Sequence, residues 1–555
     1  MAACIVASQG GAGHAGAVRN PPAYAAKIDP IFQGFDRTSP GCAVGVQQAG
    51  APVFAKGYGM ADLEHGVPIT PASMFYMASV SKQFTALTVL TLADQNKLKL
   101  SDPVRKYIPE LPDYTDKITL YHLLTHSSGV RDYLQLGALG GLPSEYVYTE
   151  ENALKMIARQ RALNFTPGSD FLYSNSGYVL LAIVVRRITG ESLDQVARRA
   201  LFRPLGMRHT LFQFDHAALV AGKAFGYQKG GGPDHGETWR ADNSSLDLAG
   251  DGGLYSSVDD MFHWMRNLET PNVGAADLRL MQQPATLSGA KTTDYGMGLE
   301  TSTVRGLRVV QHGGALAGYR TEDMWFPDQK LAVVVLCNAA SANPLPLASK
   351  VAEVYLGPKL QPLPKSAALP MGGAGIALDA AAAQGLPGAY FNPEGGLAKL
   401  SVKDRRLYEA GEDEPLVQIL PNQFVEEDEP TGNRLIVHDP AQGFDLTSPG
   451  RPTLHFDRLV MASLTEESRE AFVGAYDSPE LDTRWHLMPT DGGMSVVRRD
   501  GSTVKLLAVA GDRMFMDGKE LVFQRDGSGR VTGFVLNAGR VRGIEMKKIS
   551  SKASP

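Results

Sequence analysis

The stretch GPKLQPLPKSAALPMGGAG, residues 357–375, constrains the fold more than any other part of the chain. A run so rich in Pro, Gly and Ala continues neither helix nor sheet, so it separates regions that must bury their own cores. On its N-terminal side the periods are mixed. Residues 82–98 (KQFTALTVLTLADQNKL), 176–189 and 258–268 have helical spacing, with Phe84, Leu87, Leu90 and Leu92 as apolar positions of the first. From LRVVQHGG to LAVVVLCN three strand-like runs follow one another, broken by Gly and by the Pro327-Asp328 turn, and SKVAEVYLG closes the region as a short helix. Helices with an antiparallel sheet predict an α+β domain.

On the C-terminal side short strands alternate with Gly, Asp and Asn turns, an all-β signature. GAYFNPE at Gly388 returns as GAYDSPE at Gly474, a repeat as long as a whole small domain. Two tandem small β-barrels are expected, with two halves of one larger barrel as the alternative. The domain reading is a tail at 1–24, a mixed domain at 25–357, a linker at 358–386, and barrel-like domains at 387–462 and 463–555.

The remaining bounds are broad. A chain of 555 residues exceeds what one core usually serves. A formal net charge of -5 gives no argument for nucleic acid or a charged membrane surface. The longest apolar run, YVLLAIVV, stops at Arg186, far short of the ~18 residues of a membrane span. The N-terminal MAACIVASQGGAGHAG has no basic residue before Arg19 and makes a poor secretory leader, so a cytoplasmic chain is expected, with a periplasmic or secreted one left open by a trimmed leader. Cys4, Cys42 and Cys337 form no disulfide framework and have no metal-ligand spacing; Cys42 and Cys337 lie in strand-like runs and are expected to be buried free thiols. Oligomeric state is not set by the sequence.

FYMASVSKQFTA, residues 75–86, places two serines and a lysine at a helix start. Side chains three apart on a helix share a face, so Lys82 belongs with Ser79, and Ser81 points elsewhere. The free N–H groups of a first turn at Ser79 favour developing negative charge. S-x-x-K alone is weak, since it recurs at Ser288–Lys291 and Ser502–Lys505. Its company is more specific: Tyr173-Ser174-Asn175 and His312-Gly313-Gly314 follow in order within one inferred domain. Copies at Tyr390-Phe391-Asn392 and His14-Ala15-Gly16 fall outside it.

With these motifs the region resembles the serine β-lactamase and penicillin-binding protein superfamily, in particular its class C-like esterase and D-aminopeptidase branches. Similar stretches include ITLYHLLTHSSGV (118–130), TPGSDFLYSNSGYVLLAIVV, LFRPLGMRHT (201–210), GGLYSSVDDM (252–261), YGMGLE (295–300) and VVQHGGALAGY. The resemblance implies that Ser79 is acylated, that Lys82 accepts its proton, and that Tyr173 serves as a second acid/base group. It implies that Asn175 binds the substrate amide or holds Lys82, that His312, Gly313 and Gly314 face the substrate, and that the N–H groups of Ser79 and Ala315 form an oxyanion hole. It places LAVVVLCN beside CAVGVQ, where Cys42 and Cys337 approach each other; free thiols remain the expectation. His-Gly-Gly stands where many relatives have Lys-Thr-Gly, which removes a common contact to a substrate carboxylate.

The expected activity is a serine hydrolase acting through an acyl-enzyme, a D-aminopeptidase or amidase on small D-residue peptides or amides. Alternatives are a short-chain carboxylesterase, a β-lactamase or D-Ala-D-Ala carboxypeptidase, and a non-catalytic peptidoglycan- or ligand-binding protein. The partner is a small-molecule or short-peptide substrate; no cofactor or metal is expected. His122 and His126 have i,i+4 metal-ligand spacing without a third ligand. GAGHAG (11–16) mimics a dinucleotide motif but runs into Pro21-Pro22, and G-x-S-x-G is absent. Tyr390, Glu394, Tyr476 and Glu480 are read as strand-end structure, EEDEP (426–430) as a solvated turn, and Asp251 and Tyr295 as either cleft-lining or packing residues.

Overall fold

The computed structural model describes residues 20–230, 238–361, 378, 380–393, 395–410, 415–420, 422–426, 433–447 and 453–549. GAGHAG with His14, Cys4, most of the linker, Glu394 and residues 427–430 of the acidic run lie outside the described residues.

The N-terminal region is built on a six-stranded antiparallel sheet. Its strands are β1 (Cys42–Gln48), β2 (Ala51–Tyr58), β3 (Glu300–Val304), β4 (Leu307–Leu316), β5 (Tyr319–Phe326) and β6 (Leu331–Cys337), in the order β3-β4-β5-β6-β1-β2. β6 is buried along its whole length, which is why LAVVVLC reads as an unbroken apolar run. Its residues still divide by the period of two: Val333, Val335 and Cys337 join Val44 and Val46 in one core, while Ala332, Val334 and Leu336 join Ala43 in another. The first core is covered by the helix Pro344–Leu356, the second by the large helical layer.

That layer includes α1 (Ser81–Asp94), α2 (Leu120–Leu124), α3 (Tyr133–Leu139), α4 (Asn175–Thr189) and α5 (Val258–Glu269). α1 stops earlier than its apolar spacing suggested, because Asn96 turns the chain at φ +56. α4 ends as expected for its sequence, at Gly190 with φ +73. No helix among the described residues is long and apolar enough to cross a membrane.

The free-thiol expectation fails. Cys42 and Cys337 occupy opposed register positions of the adjacent strands β1 and β6 and are joined by a disulfide, S–S 2.09 Å. The strands are neighbours as the resemblance implied; strand-like context favours burial but does not show that the two opposed thiols bond.

The C-terminal region forms two separate closed barrels of eight strands rather than one larger barrel. The repeated GAY segments are equivalent: β7 (Gly388–Asn392) opens the first barrel and β8 (Gly474–Ser478) the second. Tyr390 donates to the Leu386 carbonyl at 2.8 Å, and Tyr476 donates to the Phe472 carbonyl at 2.7 Å, so each repeat tyrosine latches its barrel to the end of the short helix before it. The second barrel ends in a hairpin of β9 (Val531–Ala538) and β10 (Val541–Lys548) whose turn is Gly539-Arg540.

Candidate active site

Ser79 lies on a 3-10 turn, Ala78–Val80, that runs directly into α1. Ala78 is held at φ +46, an uncommon conformation for a residue with a Cβ, beside the serine it helps aim. Ser81, one step further round, is fully buried and accepts the Leu254 N–H at 3.3 Å. The helical spacing therefore separates the two serines as their positions require.

Lys82 is fully buried, and its Nζ donates to Ser79 Oγ at 3.1 Å, to Asn175 Oδ1 at 2.9 Å and to the Asp251 carbonyl at 2.7 Å. None of these acceptors is charged. Burial pushes the Lys82 ammonium down to about 7; Asp251 and Asp132 oppose that shift, and Arg540 reinforces it. Asp251 moves the other way, its carboxyl raised by burial against the pull of Lys82. Tyr133 donates to Asp251 Oδ2 at 3.1 Å. A lysine so placed can exchange a proton with a serine hydroxyl near neutral pH.

Tyr173 sits across from this pair, its ring centroid 4.8 Å from Lys82 Nζ. Burial raises its phenol well above the usual tyrosine range, while Ser79 and Arg540 favour the ionised form. No hydrogen bond of normal geometry reaches the phenol oxygen among the described residues. Asn175 is fixed at the first turn of α4 because its N–H donates to Asp132 Oδ2 at 2.8 Å. Asp132 also caps α3, accepting the Leu134 and Gln135 N–H groups, so one carboxylate sets two helix starts.

The fourth side of the cleft is β4. His312 is buried, with Nε2 3.0 Å from the Tyr295 hydroxyl and Nδ1 2.7 Å from the Gly313 carbonyl. Gly314 lets this strand press on the serine-bearing turn: a Cβ there would lie 2.4 Å from the Met77 carbonyl oxygen and 2.3 Å from Thr321 Oγ1. Ser79, Tyr173, Asn175, Asp251, Tyr295, His312, Gly313, Gly314 and Ala315 line a cleft of about 980 Å³. For Asp251 and Tyr295 this combines both readings, since each is also buried.

His122 and His126 do not share a helical face. α2 ends at Leu124, and His126 adopts φ +54. His122 Nδ1 accepts the Thr119 N–H, closing a capping box on its own helix. His126 accepts the Ser174 N–H at 3.2 Å, and its ring packs 4.2 Å from that of Tyr173. Burial holds its pKa well below the usual histidine value, so a neutral ring supports the tyrosine.

The sequence reading missed Asp132, the support from His126, and Arg540. Asp132 before an apolar run is a helix-cap signal, but its bond to Asn175 is tertiary. Arg540 comes from the hairpin of the second barrel and lines the same cleft. That barrel is firmly docked. Leu136 and Leu139 of α3 join its core, and Arg131 and Glu480 form a buried ion pair at 2.6 Å. Arg131 also donates to Gln160 and to the carbonyls of Arg542 and Gly543.

A serine and lysine on one helix start, faced by a Tyr-x-Asn turn and a His-Gly-Gly strand edge, define the serine β-lactamase and penicillin-binding protein class. Residues 25–354 match the Beta-lactamase family, and the chain belongs to it. It is 33% identical over 304 residues to a D-aminopeptidase of Gluconobacter oxydans, 55% of this chain and little more than half, 56%, of that protein. It is 27% identical over 550 residues to a D-aminopeptidase of Brucella ovis, covering 95% of this chain and 99% of that one. Among solved structures it is similar to a penicillin-binding protein homologue from Pyrococcus abyssi, with TM-score 0.55 and 23% identity over 79% of this chain and 99% of that chain.

Proposed function

We propose that the protein is a serine amidohydrolase of D-aminopeptidase type, cleaving the amide bond that follows a small D-residue bearing a free amine. The observation that supports it most is the buried Lys82, within hydrogen-bond reach of Ser79 and held otherwise by neutral acceptors. Full-length similarity to a D-aminopeptidase supports the substrate class.

In the proposed reaction neutral Lys82 takes the Ser79 proton as Oγ attacks the carbonyl carbon. The oxygen of the tetrahedral intermediate receives the Ser79 and Ala315 N–H groups. Collapse breaks the C–N bond, and the leaving amine takes a proton from the Lys82–Tyr173 pair. Water then attacks the ester, giving up a proton to the same pair, and Ser79 leaves with one restored. Asn175 and His312 hold the substrate against the strand edge. Asp170, Asp294 and Glu300 line the cleft and suit a substrate ammonium.

The test compares wild type with Ser79→Ala on D-alanine p-nitroanilide, its L-isomer, p-nitrophenyl butyrate and nitrocefin. The D-anilide is expected to be preferred over the L-form, with kcat falling at least ~10³-fold in the variant. Equal rates for both proteins on every substrate would falsify the assignment of Ser79; ester turnover alone would move the activity to carboxylesterase.

A further inference from the structure

Arg540 is held in the cleft by its backbone. Its N–H donates to Gln135 Oε1 at 2.7 Å, and its carbonyl accepts from Asn164 Nδ2 at 2.9 Å and from the Asp132 N–H at 3.4 Å. Gly539 before it takes φ +51, as a glycine opening a tight hairpin turn can. The guanidinium carbon lies over the Tyr173 ring, 4.7 Å from its centroid, within cation–π range.

The guanidinium itself is weakly engaged. Its one ion-pair contact among the described residues is with Asp132, 3.9 Å away, which already accepts three backbone N–H groups. No side-chain hydrogen bond from Arg540 occurs among the described residues, and its side chain is 45% exposed to the cleft and solvent. Several planar donors on a positioned cation therefore face the space beside Tyr173, the group that serves the leaving amine in the proposed reaction. Such a fork matches a carboxylate.

We propose that Arg540 binds the C-terminal carboxylate of the leaving group, making the enzyme selective for short peptides over neutral amides of the same D-residue. This rests on the D-aminopeptidase reading. The cleft then suits a zwitterionic dipeptide, its ammonium toward the acidic residues and its carboxylate toward the hairpin. Arg540 supplies from the second barrel the cation that His-Gly-Gly lacks on β4.

The experiment separates binding from turnover. Calorimetry on Ser79→Ala compares D-alanylglycine with D-alanylglycinamide, which differ only in the terminal charge. The dipeptide is expected to bind roughly tenfold tighter, and Arg540→Gln in the same background is expected to remove that difference. A second pair, D-aspartate amide and D-asparagine amide, places the charge on the acylating residue instead. Preference confined to this second pair, no preference in either, or preference that survives Arg540→Gln each overturns the proposal. Turnover of the glycinamide by wild type without preference for the dipeptide leaves the hydrolase reading standing and this one refuted. Tight, Arg540-dependent dipeptide binding without hydrolysis by wild type overturns the hydrolase reading and the leaving-group assignment with it, and leaves Arg540 as a carboxylate-binding residue only.

Discussion

The two barrels share an eight-stranded plan and the same tyrosine latch, yet among the described residues only the second contributes a side chain to the cleft. The first packs on its twin, with Phe391 4.7 Å from Phe515 between ring centroids and Leu459 and Val509 in the same cluster. No hydrogen bond joins it to the N-terminal region among the described residues. The second shares a core with α3, is pinned through the Arg131–Glu480 pair and extends Arg540 over Tyr173. What separates the copies is not the barrel but what its strand ends meet. Fold repetition alone therefore says nothing of shared function.

The two barrels differ most at Glu480, which anchors the second. Glu480→Ala leaves Arg131 charged, buried and unpaired, and a loss of ~3–5 kcal/mol is expected in urea unfolding. Hydrolysis should fall with it, because the ion pair anchors the barrel that extends Arg540. Phe391→Ala at the seam between the barrels is expected to cost about 3 kcal/mol, with kcat/KM held within about twofold. Equal losses of activity in both variants would erase the distinction between the barrels.

A finer test uses pH. Only neutral Lys82 accepts a proton, so kcat/KM should rise with pH through about 7. Arg540 favours the neutral lysine, and Arg540→Gln should therefore move that limb to higher pH. Asp251 favours the protonated form, and Asp251→Asn should move it lower. Phe391→Ala should leave it in place, and a matching shift there would show that the limb does not report the second barrel. The smallest effects belong to the shared latch: Tyr390→Phe and Tyr476→Phe should each cost about 1 kcal/mol in unfolding, without changing the pH limb.

The parts of this architecture that could be read in advance are those written locally. The apolar spacing of residues 82–92 marks a helix, i,i+3 geometry pairs Ser79 with Lys82, and the Gly388 and Gly474 segments reveal a duplication. Ordered motifs then point to one cleft. What escaped depends on contacts between distant segments. Arg540 in NAGRVRG looks like any hairpin arginine, and only the docking of α3 gives it an address. Glu480 gives no sign of Arg131, and Cys42 none of its bond to Cys337, although the resemblance set their strands side by side. The i,i+4 spacing of His122 and His126 does not show that α2 ends at Leu124 or that His126 packs on Tyr173.

The pairing of β1 with β6 also has a consequence in time. The two cysteines that face each other across it are separated by 295 residues. At a synthesis rate of about 5–20 residues per second, β1 waits on the order of 15–60 s for that neighbour to be made. Until then β2 is its only sheet partner, and its other edge is open to any strand that arrives first. Both barrels are encoded after β6, so in the order of synthesis the sheet can close before either barrel is complete.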